Sequence, residues 1–383
     1  MSPLESHLRA RIRSQGPLPF VTWMAAALYH PEHGYYSGPA RVGRRGDFIT
    51  SVSVGALFGS LLAGQFCEAW EALDRPGVFH LIERGGNDGS LARDILTWAH
   101  AHRPDFYRAI IYQMEEPLEV LQHIQTKALA VFPGKLQHGP ARAADGIFFA
   151  NELLDAIPFR RVTWTGSEWL ECCVQLDGED FCWTTRPLID SASLRRLASL
   201  GTRFPPGYTT EVSPAAASEI RLAASSLERG LLCFIDYGYP AADYYDPARV
   251  TGTLRCYRQH TSHENPLKDP GQSDITAHVD FSHAAAVLAA SGCRPTAFMD
   301  QAQFLTGAAA SALKSMEGQR PGPDTLAWLR QFQTLTHPSL MGSAFRVLLA
   351  TKNCPTPLLT GLRHASPTAL LSILPDMGLT QRR

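Results

Sequence analysis

Four runs of apolar residues in this chain each end in one or two polar residues, an arrangement suited to binding a polar ligand. These polar residues are Glu83, Glu116, Asn151-Glu152 and Asp236-Tyr237. Apolar runs that alternate with helical segments predict a doubly wound α/β sheet. In such a sheet ligands bind at the carboxyl ends of the strands, so we expect these side chains to lie along one edge.

A glycine-rich turn follows the first of these strands and predicts a nucleotide-type cofactor site. The strand ends in Glu83, and Gly85, Asn87 and Gly89 lie in the turn before the next helix. Glycine permits positive φ and close approach of the backbone, while the new helix directs free N–H groups at the ligand. Glu83 could hold the turn or contact a cationic part of the ligand. Its negative charge disfavours pyrophosphate, so a ligand with an amino acid and a sulfonium is expected rather than NAD.

The second and fourth strands end in further acidic groups. A carboxylate at Glu116 could accept two hydrogen bonds from ribose hydroxyls, and the alternative is a solvated strand end. Asn151 and Glu152 follow the fourth strand, and Asp155 lies shortly after them. The pair Glu152 and Asp155 matches the fork geometry of a guanidinium. The alternative for Asp155 is that it caps a short helix before Pro158.

Periodicity assigns the remaining segments. Helices are predicted in residues 1–30, with Leu4, Leu8 and Ile12 on one face. The other assignments are an antiparallel meander over 160–186, a loop-rich stretch over 240–281, a mostly helical stretch over 283–330, an edge strand at Phe345–Ala350 and a poorly ordered end over 353–383. The expected domains are a helical and loop cap over 1–75 that contributes to the cofactor pocket, a sheet domain over 76–350 with insertions at 160–215 and 240–330, and a tail over 351–383.

The amino-acid composition of the chain argues against several classes of protein. The chain has 383 residues, 45% of them hydrophobic, and 35 basic against 36 acidic residues, so nothing favours a nucleic-acid partner. The 8 cysteines form no Cys-x-x-Cys pair, which is typical of a reducing compartment. No long apolar stretch predicts a membrane span, and the N-terminus lacks a signal-peptide pattern, so a cytoplasmic protein is expected.

The segment from His30 to His33 contains a proline and predicts no metal site. No Gly-x-Ser-x-Gly elbow suggests a hydrolase.

Ordered segments along residues 20–350 resemble the MidA-like S-adenosyl-L-methionine (SAM)-dependent methyltransferases, whose mitochondrial members methylate an arginine of a respiratory complex I subunit. The similar segments are Leu28–Ser37, Gly46–Ser51, Leu57–Gly59, Ala150–Pro158, Glu211–Pro214, Ile235–Gly238, Gly252–Tyr257 and Asp274–Phe281.

The resemblance implies a Rossmann-like class I methyltransferase fold with SAM as cofactor and a protein as acceptor. It places Gly46, Asp47 and Thr50 at the cofactor together with Glu83, the glycine turn, Glu116 and Asn151. It also assigns catalysis to Asn151, Glu152 and Asp155.

The chain departs from the family pattern at the glycine loop, at Val52-Ser53, and at Gly55 and Ser60, which replace typical residues. Asn87 stands where the family has the middle glycine of its loop, and Val52-Ser53 replaces Pro-Glu. Asparagine tolerates positive φ better than most residues. Two alternatives to a protein arginine methyltransferase stay open. One is a weak or inactive SAM-binding assembly factor that docks a partner through residues 240–281, and the other is a small-molecule methyltransferase.

Overall fold

The computed structural model describes residues 2–37, 50–201, 204–258, 261–318 and 320–374. In these ranges the helices are α1 (Pro3–Gln15), α2 (Phe20–Tyr29), α3 (Leu57–Ala72), α4 (Ser90–His102), α5 (Pro104–Ala109), α6 (Glu119–Ala128), α7 (Ser191–Ala198), α8 (Pro214–Ser226), α9 (Ala241–Tyr244), α10 (Phe281–Ala290), α11 (Gln301–Ala308), α12 (Ala310–Met316), α13 (Pro323–Thr336) and α14 (Pro367–Ser372). The strands are β1 (Leu18–Pro19), β2 (Phe79–Arg84), β3 (Ile110–Glu115), β4 (Leu136–His138), β5 (Ala144–Asn151), β6 (Arg160–Trp164), β7 (Trp169–Asp177), β8 (Asp180–Pro187), β9 (Thr209–Val212), β10 (Leu227–Tyr239), β11 (Arg255–Arg258), β12 (Thr261–His263), β13 (Asp274–Thr276), β14 (Val279–Asp280), β15 (Arg294–Asp300) and β16 (Phe345–Lys352).

The chain divides into two compact units. The first takes the described residues of Met1–Phe48, Leu154–Glu219 and Ala241–Val279, and the second takes those of Ile49–Leu153, Ile220–Pro240 and Asp280–Arg383. The domain limits expected from the sequence stay a prediction.

The second unit contains the central sheet, with strand order β15-β16-β10-β5-β2-β3-β4. Strands β10, β5, β2, β3 and β4 pair in parallel. Because β10, β5, β2 and β3 are mostly buried on both faces, they appear in the sequence as nearly continuous apolar runs, whereas the short edge strand β4 does not. Leu81, Tyr112 and Ile147 are register partners in the middle of this sheet and are fully or almost fully buried. The predicted α/β class is confirmed.

The antiparallel end of this sheet differs from the sequence prediction. Strand β16 lies between β10 and β15, so the prediction of an edge strand at Phe345–Ala350 is wrong. The strand that covers it, β15, falls inside the stretch predicted to be helical. Ala297, Phe298 and Met299 of β15 are buried, and a short apolar run between two helices gives no clear period of its own.

The first unit contains the predicted meander and a second small sheet. Strands β6, β7 and β8 pair antiparallel, which confirms the meander. Leu4, Leu8 and Ile12 of α1 are buried together, as predicted. Strands β12, β11 and β13 form a three-stranded sheet within the stretch expected to be loop-rich, because these strands are too short to show alternation.

The end of the second unit is more regular than expected. A 3-10 helix at Thr360–His364 and the helix α14 follow β16, in a stretch predicted to be poorly ordered. Residues from 375 onward lie outside the described part of the chain.

Candidate functional site

Glu83 is a buried acid at the carboxyl end of β2. Only 3% of the residue is exposed, and the hydroxyl of Tyr112 donates a 2.7 Å hydrogen bond to Glu83 Oε2. The pKa of Glu83 is raised to about 7, mainly by burial; the Tyr112 hydrogen bond opposes this rise, and the nearby carboxyls of Asp88 and Glu116 add to it. Glu83 can therefore change its protonation near neutral pH, and a cationic ligand would favour its charged form.

The turn after β2 is left-handed at three positions, with φ of 77° at Gly85, 45° at Asn87 and 77° at Gly89. Asn87 thus adopts the positive φ that its residue type was expected to tolerate. A Cβ at Gly86 would lie 3.1 Å from the carboxyl carbon of Glu83, so the loop backbone passes close to that acid. A side chain at this position would press on Glu83, so the close approach favours glycine.

Glu116 follows β3 and is buried, so the alternative of a solvated strand end is wrong. Its Oε1 accepts a 2.9 Å hydrogen bond from the backbone N–H of Leu118, and burial raises its pKa. Gln125 of α6 donates to Glu116 Oε2 at 3.4 Å and to the Asn87 carbonyl at 2.9 Å. Gln125 therefore links the carboxylate to the glycine turn. This role is not predicted from the sequence, in which the only signal is a polar residue on the apolar face of α6.

The neighbouring acid, Glu115, has a different role. It forms an ion pair with Arg84, accepts a 2.9 Å hydrogen bond from the Ala141 N–H and a 3.5 Å bond from the Ser226 hydroxyl. Glu115 therefore holds the ends of β2 and β3, which leaves Glu116 as the carboxylate suited to ribose hydroxyls.

Asn151 and Glu152 form a fixed corner at the end of β5. Glu152 has a φ of 53°, and its N–H donates to the Ile235 carbonyl at 2.9 Å. Its Oε1 accepts hydrogen bonds from the Ser51 N–H at 3.2 Å and from Asn151 Nδ2 at 3.0 Å. A left-handed glutamate costs roughly 1 kcal/mol or more and persists where the surroundings determine it, often at functional sites. The Asn151 Oδ1 is buried and accepts no hydrogen bond from the described residues.

Ser51 is itself held by a buried glutamine. Its hydroxyl donates to Gln301 Oε1 at 3.0 Å, and Gln301 Nε2 donates to the Leu335 carbonyl at 3.1 Å. Both Ser51 and Gln301 are fully buried. The adjacent Thr50, predicted at the cofactor, forms a turn in which its Oγ1 accepts the Ser53 N–H at 3.1 Å. Gln301 thus supports the loop that holds Glu152, a role that sequence analysis did not assign.

The predicted site residues also include Gly46, Asp47 and Asp155. Gly46 and Asp47 are outside the described residues. Asp155 belongs to the first unit, where it sits inside a 3-10 helix at Leu154–Ala156 and its carbonyl accepts the Ala277 N–H at 3.0 Å. Glu152 belongs to the second unit.

The histidines near the N-terminus pack against each other. The rings of His30 and His33 stack with centroids 5.2 Å apart, and His30 Nδ1 accepts the Glu32 and His33 N–H groups at 3.3 Å. Across the described residues no cluster of three or more His, Cys, Asp or Glu side chains could hold a metal ion. Over the same residues no helix is sufficiently long and apolar to span a bilayer.

The edge of the central sheet fits a cationic nucleoside. Glu83 would meet positive charge, Glu116 would accept ribose hydroxyls, and the unpartnered Asn151 Oδ1 would accept an N–H of the ligand. The glycine turn would let the ligand lie against backbone. These residues fit SAM, which carries a sulfonium, an ammonium and a ribose.

The chain is similar to known proteins in both sequence and fold. A family model of S-adenosyl-L-methionine-dependent methyltransferases matches residues 61–299. A protein from Burkholderia thailandensis, solved with S-adenosyl-homocysteine bound, is 30% identical with a TM-score of 0.85, covering 95% of this chain and 96% of that chain. S-adenosyl-homocysteine is SAM without its methyl group, so this similarity supports SAM as the cofactor of the fold.

Two curated relatives carry a more specific name. "Protein arginine methyltransferase NDUFAF7 homolog, mitochondrial" from Drosophila melanogaster is 28% identical over 90% of this chain and 84% of its own length. "Protein arginine methyltransferase NDUFAF7, mitochondrial" from Danio rerio is 27% identical over 72% of this chain and 70% of its own length.

Proposed function

We propose that this chain, which belongs to the family of S-adenosyl-L-methionine-dependent methyltransferases, uses an arginine side chain of a protein as its methyl acceptor. Methyl transfer from SAM is the chemistry of the family, and the names of the curated relatives support arginine in a protein as the acceptor. The observation that carries the proposal is the fixed carboxylate of Glu152 at the end of β5.

A guanidinium has a pKa above about 12, so the acceptor arrives charged and needs a carboxylate partner when water is excluded. Glu152 meets this need because the Ser51 N–H and Asn151 Nδ2 already orient its Oε1. A carboxylate held in this way can align the acceptor nitrogen, localise the charge on the other nitrogens and stabilise the proton that leaves. Asp155 is proposed as the second carboxylate. Bound SAM supplies an electrophilic sulfonium methyl.

The competing idea of an inactive assembly factor rests on Asn87 in place of glycine. Asn87 takes a positive φ of 45°, a conformation that glycine also adopts, and its carbonyl accepts a hydrogen bond from the Gln125 side chain. This favours a working cofactor loop.

The test is a comparison of arginine methylation, by mass spectrometry, in host cells with and without this gene. Arginines that lose methylation in the deleted strain identify the acceptor, and a complex I subunit is the first candidate. The purified enzyme should then transfer labelled methyl from SAM to that protein. If the label enters only small molecules, the methyl acceptor is a small molecule and not a protein arginine. SAM binding without any transfer would instead favour the assembly factor.

A further inference from the structure

Glu211 is a buried carboxylate of the first unit with 2% of the residue exposed. It lies on β9, and its Oε2 accepts hydrogen bonds from the Thr253 N–H at 2.9 Å and the Thr253 hydroxyl at 3.1 Å. Gly252, at φ 75°, comes so close that a Cβ there would overlap Glu211 Oε1. The turn at 252–253 is therefore closed tightly around this acid.

The hydrogen bonds continue from Thr253 to a second segment. Thr253 Oγ1 accepts the His278 N–H at 3.0 Å, so this hydroxyl both donates and accepts. The preceding residue, Ala277, donates its N–H to the Asp155 carbonyl at 3.0 Å. Burial and two nearby arginines lower the pKa of His278 to about 4, so this segment carries a neutral imidazole at neutral pH.

We propose that Glu211 is a positioning residue for the methyl acceptor, acting through Thr253 and the Ala277–His278 backbone on the turn that carries Asp155. This inference rests on the proposed function, which assigns Asp155 to the acceptor guanidinium. The proposal assigns a role to three segments that are similar to the methyltransferase family and contribute no residue to the cofactor site. They are Glu211–Pro214, Gly252–Tyr257 and Asp274–Phe281.

The geometry explains why a carboxylate and a hydroxyl are needed. Glu211 satisfies both donors of Thr253, and only a hydroxyl can donate to Glu211 while accepting from His278. A buried N–H that loses its acceptor pays the full cost of desolvation, so the 277–278 segment would shift to find another partner. A small shift of Asp155 is enough to slow a reaction that depends on alignment.

The experiment compares Thr253→Val, which keeps the shape and removes the hydroxyl, with Thr253→Ser, which keeps the hydroxyl. Three quantities are measured on the full chain. They are backbone amide exchange over residues 274–280, SAM affinity by calorimetry, and the rate at which labelled methyl from SAM enters arginines of a protein extract from cells that lack this gene. In T253V we expect exchange of the Ala277 and His278 amides to be about tenfold faster. We expect arginine labelling to fall about tenfold while SAM affinity changes less than twofold. T253S should stay near wild type in all three.

Three results would overturn the proposal: labelling by T253V at the wild-type rate, equal defects in T253V and T253S, or a loss of SAM affinity in step with labelling. If T253V does not melt cooperatively, Thr253→Ala is measured in its place. Failure of both to fold also overturns it, because the hydroxyl would then serve folding alone. If wild-type enzyme labels no arginine, the proposed function itself fails and the acceptor role of Glu211 fails with it. Faster exchange of the Ala277 and His278 amides in T253V would still show that the Thr253 hydroxyl stabilises this segment.

Discussion

Tyr112 and Glu83, on the neighbouring strands β3 and β2, share a 2.7 Å hydrogen bond inside the core of the second unit. Burial raises the pKa of Tyr112 well above its ordinary value, as does the carboxylate beside it, so the phenol stays a donor. Burial also brings the pKa of Glu83 to about 7. The loop that follows β2 therefore covers an acid that ionises near physiological pH, and a cationic cofactor must favour its ionised form.

SAM affinity is expected to rise with pH because of this acid. With a pKa of about 7, roughly a tenth of Glu83 is ionised at pH 6 and roughly three quarters at pH 7.5. If the cation binds the ionised form, the dissociation constant of SAM should fall about eightfold over this interval. Calorimetry at the two pH values, in buffers with different ionisation enthalpies, should also detect proton release on binding below pH 7.

Two variants separate Glu83 from other titrating groups. Glu83→Gln should bind SAM more weakly and show almost no change in affinity between pH 6 and 7.5. Tyr112→Phe removes the hydrogen bond that lowers the pKa of Glu83, so its rise in affinity should move to higher pH. An unchanged pH profile in E83Q would assign the titration to a different group.

Glu116→Ala should weaken SAM binding about tenfold to a hundredfold, because it removes the buried carboxylate that is expected to accept the ribose hydroxyls. Glu119→Ala is the matched control, since Glu119 is exposed in the first turn of α6 and should leave the affinity unchanged. Equal affinities for E116A and E119A would remove Glu116 from the cofactor site. A thermal melt of each variant checks that the loss of the Leu118 hydrogen bond does not unfold the protein.

Asn87→Gly should keep or increase SAM affinity, because glycine adopts the φ of 45° without steric cost. The substitution also keeps the hydrogen bond from Gln125, since its acceptor is the main-chain carbonyl of residue 87. Asn87→Ala is the informative contrast. Alanine is strained at positive φ and should lower the free energy of unfolding by about 1 kcal/mol. A loss of about fivefold or more in SAM affinity in N87G would show instead that the Asn87 side chain makes a hydrogen bond to the ligand.

The sequence predicts those features of the fold that depend on local residue patterns. The apolar runs before Glu83, Glu116 and Asn151 predicted buried parallel strands whose ends share an edge. The residue types in the loop predicted positive φ. What it could not predict depends on contacts between distant residues: Ser51 and Glu152 are 101 positions apart, and Ser51 and Gln301 are 250 apart.

The wrong prediction at β16 and the alternative left open at Glu116 have a shared physical cause. The sequence predicts an edge strand at Phe345–Ala350 because β15, which pairs with it, is short and lies between helices. A solvated Glu116 remained open because burial of a strand end is decided by what packs over it, here Gln125 of α6. Local periodicity carries no information about such coverage.

Glu152→Gln tests the acceptor site most directly. Glutamine keeps an oxygen that can accept the Ser51 N–H and Asn151 Nδ2, so the corner at the end of β5 and SAM binding should be nearly unchanged. The charge that a guanidinium needs is lost, and methyl transfer should fall by roughly a hundredfold or more, as for an interaction made mainly on the way to the transition state.

Asp155→Asn should have a smaller effect than E152Q, since the Asp155 backbone bond to Ala277 does not depend on its charge. The assay is transfer of labelled methyl from SAM to the acceptor protein, run beside calorimetry with SAM on the same preparations. Full activity in E152Q would exclude the carboxylate from the mechanism. Loss of both SAM binding and cooperative melting in E152Q would show that the left-handed glutamate serves the fold, because its hydrogen bonds to Ser51 and Asn151 would then matter more than its charge.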